Sequence, residues 1–213
     1  MKLSALLVCI ALLAGPLAAS AAGMEDDLLA IQQRWAVANY DTAKEAQAKA
    51  FEELTRDARR FAADYPDKAE PLIWLAIVLS SDAGKTGGIS ALGKVKEARK
   101  LLEQAEAIDP KALDGSIYTS LGSLYYQVPG WPIGFGNDAK AELYLRKALT
   151  LNPNGIDPNF FYGDFMLEEG KPAEAVRYLE KAQAAAPRPH RELADKGRQQ
   201  EVAAKLQLAR SKL

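Results

Sequence analysis

The sequence predicts an all-α chain of stacked antiparallel helix pairs, and three observations predict it. A pattern of four columns recurs three times, at offsets of 43 and then 34 residues. Apolar residues outside that pattern fall at helical spacing and do not alternate as in strands. The composition is rich in alanine and poor in β-branched residues, which favours helix.

The four columns are a small residue, a large apolar one four on, alanine three on, and proline five on. They read Ala98, Leu102, Ala105 and Pro110; Ala141, Leu145, Ala148 and Pro153; and Ala175, Leu179, Ala182 and Pro187. The first three columns share one face of a helix. The small residue allows a second helix to approach closely, and the large one fills the space between neighbours. Proline ends the helix, because the residue before it disfavours the α region. About twenty residues before each pattern lies a second periodic segment. These segments are Leu72, Leu75, Ala76 and Leu79; Tyr118, Leu121, Gly122 and Tyr125; and Asn159, Tyr162, Gly163 and Met166. Asp157-Pro158 reads as a helix start with an N-cap acceptor, and Pro172 as a proline at a first helical position.

On these residues the stretch 66–189 resembles three tetratricopeptide (TPR) units, a repeat whose period is about 34 residues. The resemblance implies a right-handed superhelix of helix pairs, and a binding scaffold that serves many purposes. Residues 23–65 read as a degenerate N-terminal helical pair, with stripes Leu28, Ile31, Trp35, Ala38 and Phe51, Leu54, Ala58, Phe61. Residues 190–213 read as a polar capping helix on the exposed end. The basic residues here, Arg188, Arg191, Lys196, Arg198, Lys205, Arg210 and Lys212, outnumber Glu192, Asp195 and Glu201 and read as a solvated outer face, with a surface for an acidic partner or anionic lipid as the alternative.

Residues 1–22 carry Lys2, an apolar run from Leu3 to Leu13, and small residues around Ala19-Ser20-Ala21. This is the pattern of a cleaved secretory leader and predicts a periplasmic protein with no membrane span in the mature chain. Cys9, the only cysteine, would leave with the leader, and with it any disulfide or thiolate chemistry. So would one charge, Lys2, leaving 26 basic against 28 acidic residues. That balance lacks the basic excess of a nucleic-acid binder. His190 is the single histidine, so neither a triad nor a histidine-rich metal site can be assembled. No enzyme, metal or cofactor is expected.

Two stretches exceed the ordinary repeat length and read as long loops between paired helices: 80–93 and 127–138. Such loops are often functional. The first holds Gly84-Lys85-Thr86, which lacks the upstream glycine and strand of a phosphate-binding loop. The second carries Trp131, Ile133 and Phe135 among glycines and prolines, apolar side chains that either fold down or await a partner. Asn137 or Asp138 caps the helix that follows. In TPR geometry Ile73, Ile77, Thr119, Ser123, Tyr126, Asp157, Phe160, Asp164 and Glu168 line the concave side. With Trp131 and Phe135 from the loop they form a mixed aromatic and acidic groove, suited to an extended peptide or an amphipathic organic molecule. The placement of the two long stretches, together with the leader, is also similar to the T component of TRAP-type periplasmic transporters. That resemblance implies an apolar ligand cavity and a homo-oligomer.

Overall fold

Each of the three repeated patterns forms the second helix of a hairpin. The computed structural model describes residues 16–213. The expected leader lies outside the described residues up to position 15, and its side chains lie outside them throughout. The elements are α1 (Pro16–Ala36), a π turn (Val37–Asp41), α2 (Lys44–Asp64), α3 (Ala69–Thr86), α4 (Gly88–Ile108), a 3-10 turn (Ala112–Gly115), α5 (Ser116–Gln127), α6 (Asp138–Leu151), α7 (Ile156–Glu168), α8 (Pro172–Gln183) and α9 (Glu192–Arg210). Among the described residues there is no strand. Helices pair in succession: α3 with α4, α5 with α6, α7 with α8, and α9 follows on α8.

The column residues explain the pairing. Ala98, Leu102 and Ala105 on α4, with their equivalents on α6 and α8, are all buried. A Cβ placed on Gly122 would meet Leu145 Cγ at 2.5 Å, and one on Gly163 would meet Leu179 Cγ at 2.8 Å and its backbone nitrogen at 3.2 Å. The large residue of the second helix therefore fills the space over the small residue of the first helix in the same hairpin. Gly163→Val is accordingly expected to lower stability by about 2 kcal/mol, an overpacking cost, in urea denaturation. Gly93→Ala serves as the contrast. It sits within α4 with nothing within 4 Å of its added Cβ, so it is expected to raise stability by roughly 0.5–1 kcal/mol.

The stretch 80–93 is not a loop. The helices α3 and α4 extend through it and leave Gly87 alone between them, at φ +63°. The hydroxyls of Ser80, Ser81 and Thr86 donate to the carbonyls of Ala76, Ile77 and Asp82, four residues back, so they do not compete with the helix. The extra residues lengthen the hairpin, and the buried Asp82 carboxylate meets Lys94 Nζ at 2.6 Å across it. Gly84-Lys85-Thr86 is the last part of α3. The stretch after α5 is a true loop, and Asn137 caps α6 by accepting from the Lys140 amide at 2.9 Å. Pro172 opens α8 as expected.

The first and last elements meet. Tyr40 in the π turn packs its ring where a Cβ on Gly197 of α9 would lie, 2.4 Å away, and its hydroxyl donates to Glu201 at 3.2 Å. Trp35 of α1 stacks edge-on to Trp74 of α3, and Trp35 Nε1 donates to Ser81 Oγ at 2.8 Å. The inner side of the curved stack is thus closed by contact between its two ends.

Candidate functional site

Closure decides which of the expected groove residues remain available. Ile73 is fully buried, Phe160 lies under the Arg198 guanidinium at 4.4 Å, and Thr119 is buried with its hydroxyl directed at the Gly115 carbonyl. Asp157 is half-buried, and both of its oxygens are taken. Arg188 reaches Oδ2 at 2.6 Å and Arg198 Nε reaches Oδ1 at 2.8 Å. It does not cap α7, as Asp157-Pro158 suggested: α7 begins one residue earlier, at Ile156, with Gly155 at the N-cap, so Asp157 lies in the first turn and its carboxylate goes to the arginines. Burial pushes the Asp157 carboxyl up, but Arg198 and Arg188 outweigh that and hold it down at about 2.

The basic residues of the last segment divide: Lys196, Arg210 and Lys212 are exposed as expected, whereas Arg188, Arg191, Arg198 and Lys205 are wholly or partly buried. Arg198 is only 9 % exposed. Positions 191, 198 and 205 are seven apart, two helical turns, so they form one stripe along the chain. Arg191 sits 5.0 Å over the Trp74 ring, Arg198 pairs with Asp157, and Lys205 Nζ lies 2.6 Å from Asp164 Oδ1. The Arg191 guanidinium falls to about 10, through burial and then the neighbouring Arg188 charge, and still stays charged at neutral pH. The last helix thus occupies the inner side that the sequence reserved for a partner.

Two depressions among the described residues are open to solvent. The first, about 390 Å³, holds Tyr126, Asp164 and Glu168, three of the expected groove residues, together with Asp138 and Lys205. Tyr126 donates to Asp164 Oδ2 at 2.8 Å and accepts from Gln127 Nε2 at 2.9 Å; Phe165 tilts against its ring. Burial, and then the Asp164 charge, raise the Tyr126 hydroxyl well above its ordinary value, so it stays a donor. Asp138 and Glu168 are exposed, and among the described residues neither has an ion-pair partner.

The second depression, about 460 Å³, is apolar. It lies between the tip of the α3–α4 hairpin (Ala83, Leu92, Val95) and the end of α5 with its loop (Leu124, Val128, Ile133); Ser123 also lines it. The loop is held shut by backbone bonds: the Gly136 amide donates to the Pro129 carbonyl at 3.0 Å and the Asn137 amide to Tyr125 at 2.8 Å. Gly136 is required there, since a Cβ would lie 1.9 Å from the Val128 oxygen. Phe135 folds down, edge-on to Tyr125 at 5.5 Å and under Arg99 at 4.5 Å. Trp131 and Ile133 do not; they are 90 % and 61 % exposed. Phe135 thus follows the folded-down alternative, while Trp131 and Ile133 stay in solvent.

No protein-family profile matches the chain, and no curated protein matches it. Among solved structures it is similar to the crystal structure of TTC0263, a thermophilic TPR protein of Thermus thermophilus. The identity is 18 %, the match covers 85 % of this chain and 99 % of that one, and the TM-score is 0.56. A likeness to Pseudomonas aeruginosa PilF, at 18 % identity, covers 87 % of this chain and 91 % of that one with a TM-score of 0.35.

The fold is the TPR fold.

In TPR terms α3, α5 and α7 are the first helices of three units, and α9 stands where the first helix of a fourth would. Sequence reasoning missed the α4 wall of the apolar groove, because Leu92 was assigned to a loop. The signal was present: Leu92 and Val95 continue the spacing of Ala98 and Leu102 backwards. It also missed Lys205 and Arg198 as groove residues; their seven-residue spacing was the available sign. Ile77 is half-buried and packs against the core. Among the described residues no group of three His, Cys, Asp or Glu side chains is placed to hold a metal ion.

Proposed function

We propose that this chain is an exported, non-catalytic interaction scaffold of the periplasm that holds a segment of a partner protein at the loop-bearing edge of its TPR superhelix. One observation carries the reading: a loop closed by its own hydrogen bonds presents Trp131 and Ile133 to solvent beside an apolar groove. Exposed tryptophan on an ordered support is the kind of residue that dominates protein interfaces. The partner's place moves from the concave centre to this edge, because α9 fills the centre. The TPR fold supports a scaffold role, and the pairing of Asp157 and Asp164 with cations suits structure better than proton transfer. Export is supported by the leader-like residues 1–22. Among the described residues no helix is long and apolar enough to cross a membrane.

A photo-crosslinking residue placed at Trp131 in cells is expected to give discrete protein adducts. The same residue at Leu143, exposed on α6, should give none, and Ile133→Asp should abolish the adducts. Osmotic-shock fractionation should release the chain with periplasmic proteins. Absence of adducts at Trp131 would sink the scaffold reading. A second reading, an apolar small-molecule binder in a transport system, is supported by the groove's volume and lining. Native mass spectra that retain a bound small mass, lost in Ile133→Asp, would favour it.

A further inference from the structure

We propose that the apolar groove and the acidic pocket are two halves of one docking surface. Its occupant is an amphipathic partner segment whose apolar side chains lead into an arginine or lysine. This rests on the scaffold reading above. The two depressions meet at Gln127, which lines both. An occupant lying over the end of α5 therefore touches both. The lining of the groove carries no charged side chain, and its few polar members are Ser80, Ser123 and Gln127. It takes aliphatic or aromatic side chains, and a buried charge there would be left unpaired.

The pocket on the other side of Gln127 has the opposite character. Lys205 already shows that it accommodates an ammonium group, held at 2.6 Å by the buried Asp164. Glu169 is engaged at 3.8 Å by Lys171. Asp138 and Glu168 line the pocket, are exposed, and among the described residues form no ion pair. Tyr126, backed by the buried Phe165, lines the same pocket, and an aromatic ring there favours a guanidinium or ammonium. The charge left over is negative and the neighbouring wall is apolar. The complementary segment is therefore apolar on one side of Gln127 and cationic on the other. Trp131, two residues before the groove-lining Ile133, stands 90 % exposed on the same loop, open to contact with the occupant.

The test is selection from a displayed library of random peptides about 12 residues long on the immobilised chain, followed by affinity measurement of the enriched sequences. The expected consensus has two or more large apolar residues with an arginine or lysine to one side. Ile133→Asp is expected to weaken these peptides at least about tenfold, and Glu168→Lys to weaken them by a similar factor. A peptide with its basic residue changed to glutamate should recover affinity on Glu168→Lys and lose it on the unaltered chain. Both substituted positions are exposed, so folding is retained and is checked by circular dichroism. Raised salt should weaken the basic peptides more than their neutral versions.

Enriched peptides that bind Ile133→Asp and Glu168→Lys as well as the unaltered chain would overturn this docking surface and leave the scaffold reading standing. So would a consensus with no basic residue. Failure to enrich any peptide, joined to an absence of crosslinks at Trp131, would overturn both. Sedimentation of the chain with phosphatidylethanolamine–phosphatidylglycerol vesicles, dependent on Trp131 and without peptide binding, would assign the edge to lipid and overturn the proposal as well.

Discussion

Asp157→Ala is expected to lower the stability of the folded chain by about 3–4 kcal/mol, measured by urea denaturation. Asp157 is the anion shared by Arg188 and Arg198, and Arg198 stacks on both Phe160 and Phe161. Removal of the carboxylate leaves the Arg198 guanidinium in a site that is nearly closed to water, with Glu201 as its remaining anionic partner. Breaking a buried pair from one side costs more than the pair contributes, because the other charge stays desolvated. The effect should be visible locally as well. The α9 helix and the π turn at Tyr40 should lose amide-exchange protection together, since both are held at this junction.

The pH dependence has a definite sign. The folded-state value of Asp157, about 2, lies below its ordinary value of 3.8. Its contribution is therefore fully present above about pH 4 and is lost as pH falls through the folded-state value. The size implied by the shift is on the order of 2 kcal/mol. The stability difference between the unaltered chain and Asp157→Asn should shrink as pH falls from about 4 toward 2. A difference that stays constant over that range would show that the arginines do not act through the carboxylate charge.

Leu145→Ala is expected to cost about 3 kcal/mol, while Leu143→Ala, two residues away on α6, should change stability by less than about 0.5 kcal/mol. Leu145 is 0 % exposed and Leu143 is 65 % exposed. Truncation at 145 removes the side chain that fills the space over Gly122, and a glycine has nothing to move into the void. The loss is thus transfer energy plus a cavity that cannot collapse. The equivalent Leu179 faces Gly163 in the same way, so Leu179→Ala should fall in the same range. If the two leucine variants proved as mild as Leu143→Ala, the hairpins would not be packed by these columns.

Much of the site was legible in pieces. Tyr126, Asp164 and Glu168 were expected on one surface and do share one pocket, because they project from the same side of α5 and α7. Trp131 and Phe135 were recognised as apolar residues in a loop that cannot be regular. Which of them folds down was not legible, since that depends on Tyr125 and Arg99, brought there by two other helices. The stretch 80–93 was misread for a related reason. Its glycines and hydroxyl residues look like a loop, yet Ser80, Ser81 and Thr86 bond back along the helix and the hairpin partner stabilises the extension.

The sequence by itself determined the helical hairpins, their order, and the buried columns at Ala98, Leu102, Ala105 and their equivalents. Those follow from spacing along one chain, where a helix places residues three and four apart on one face whatever lies beyond. Only the tertiary structure decided that α9 turns its cations inward onto Asp157 and Asp164. The curvature that brings the π turn against Gly197 sums small displacements at every helix crossing, and no single stretch of residues encodes it. That is why Asp157 reads as part of an open groove in one dimension and is covered by arginines in three, while Asp164 keeps an open pocket beside Lys205.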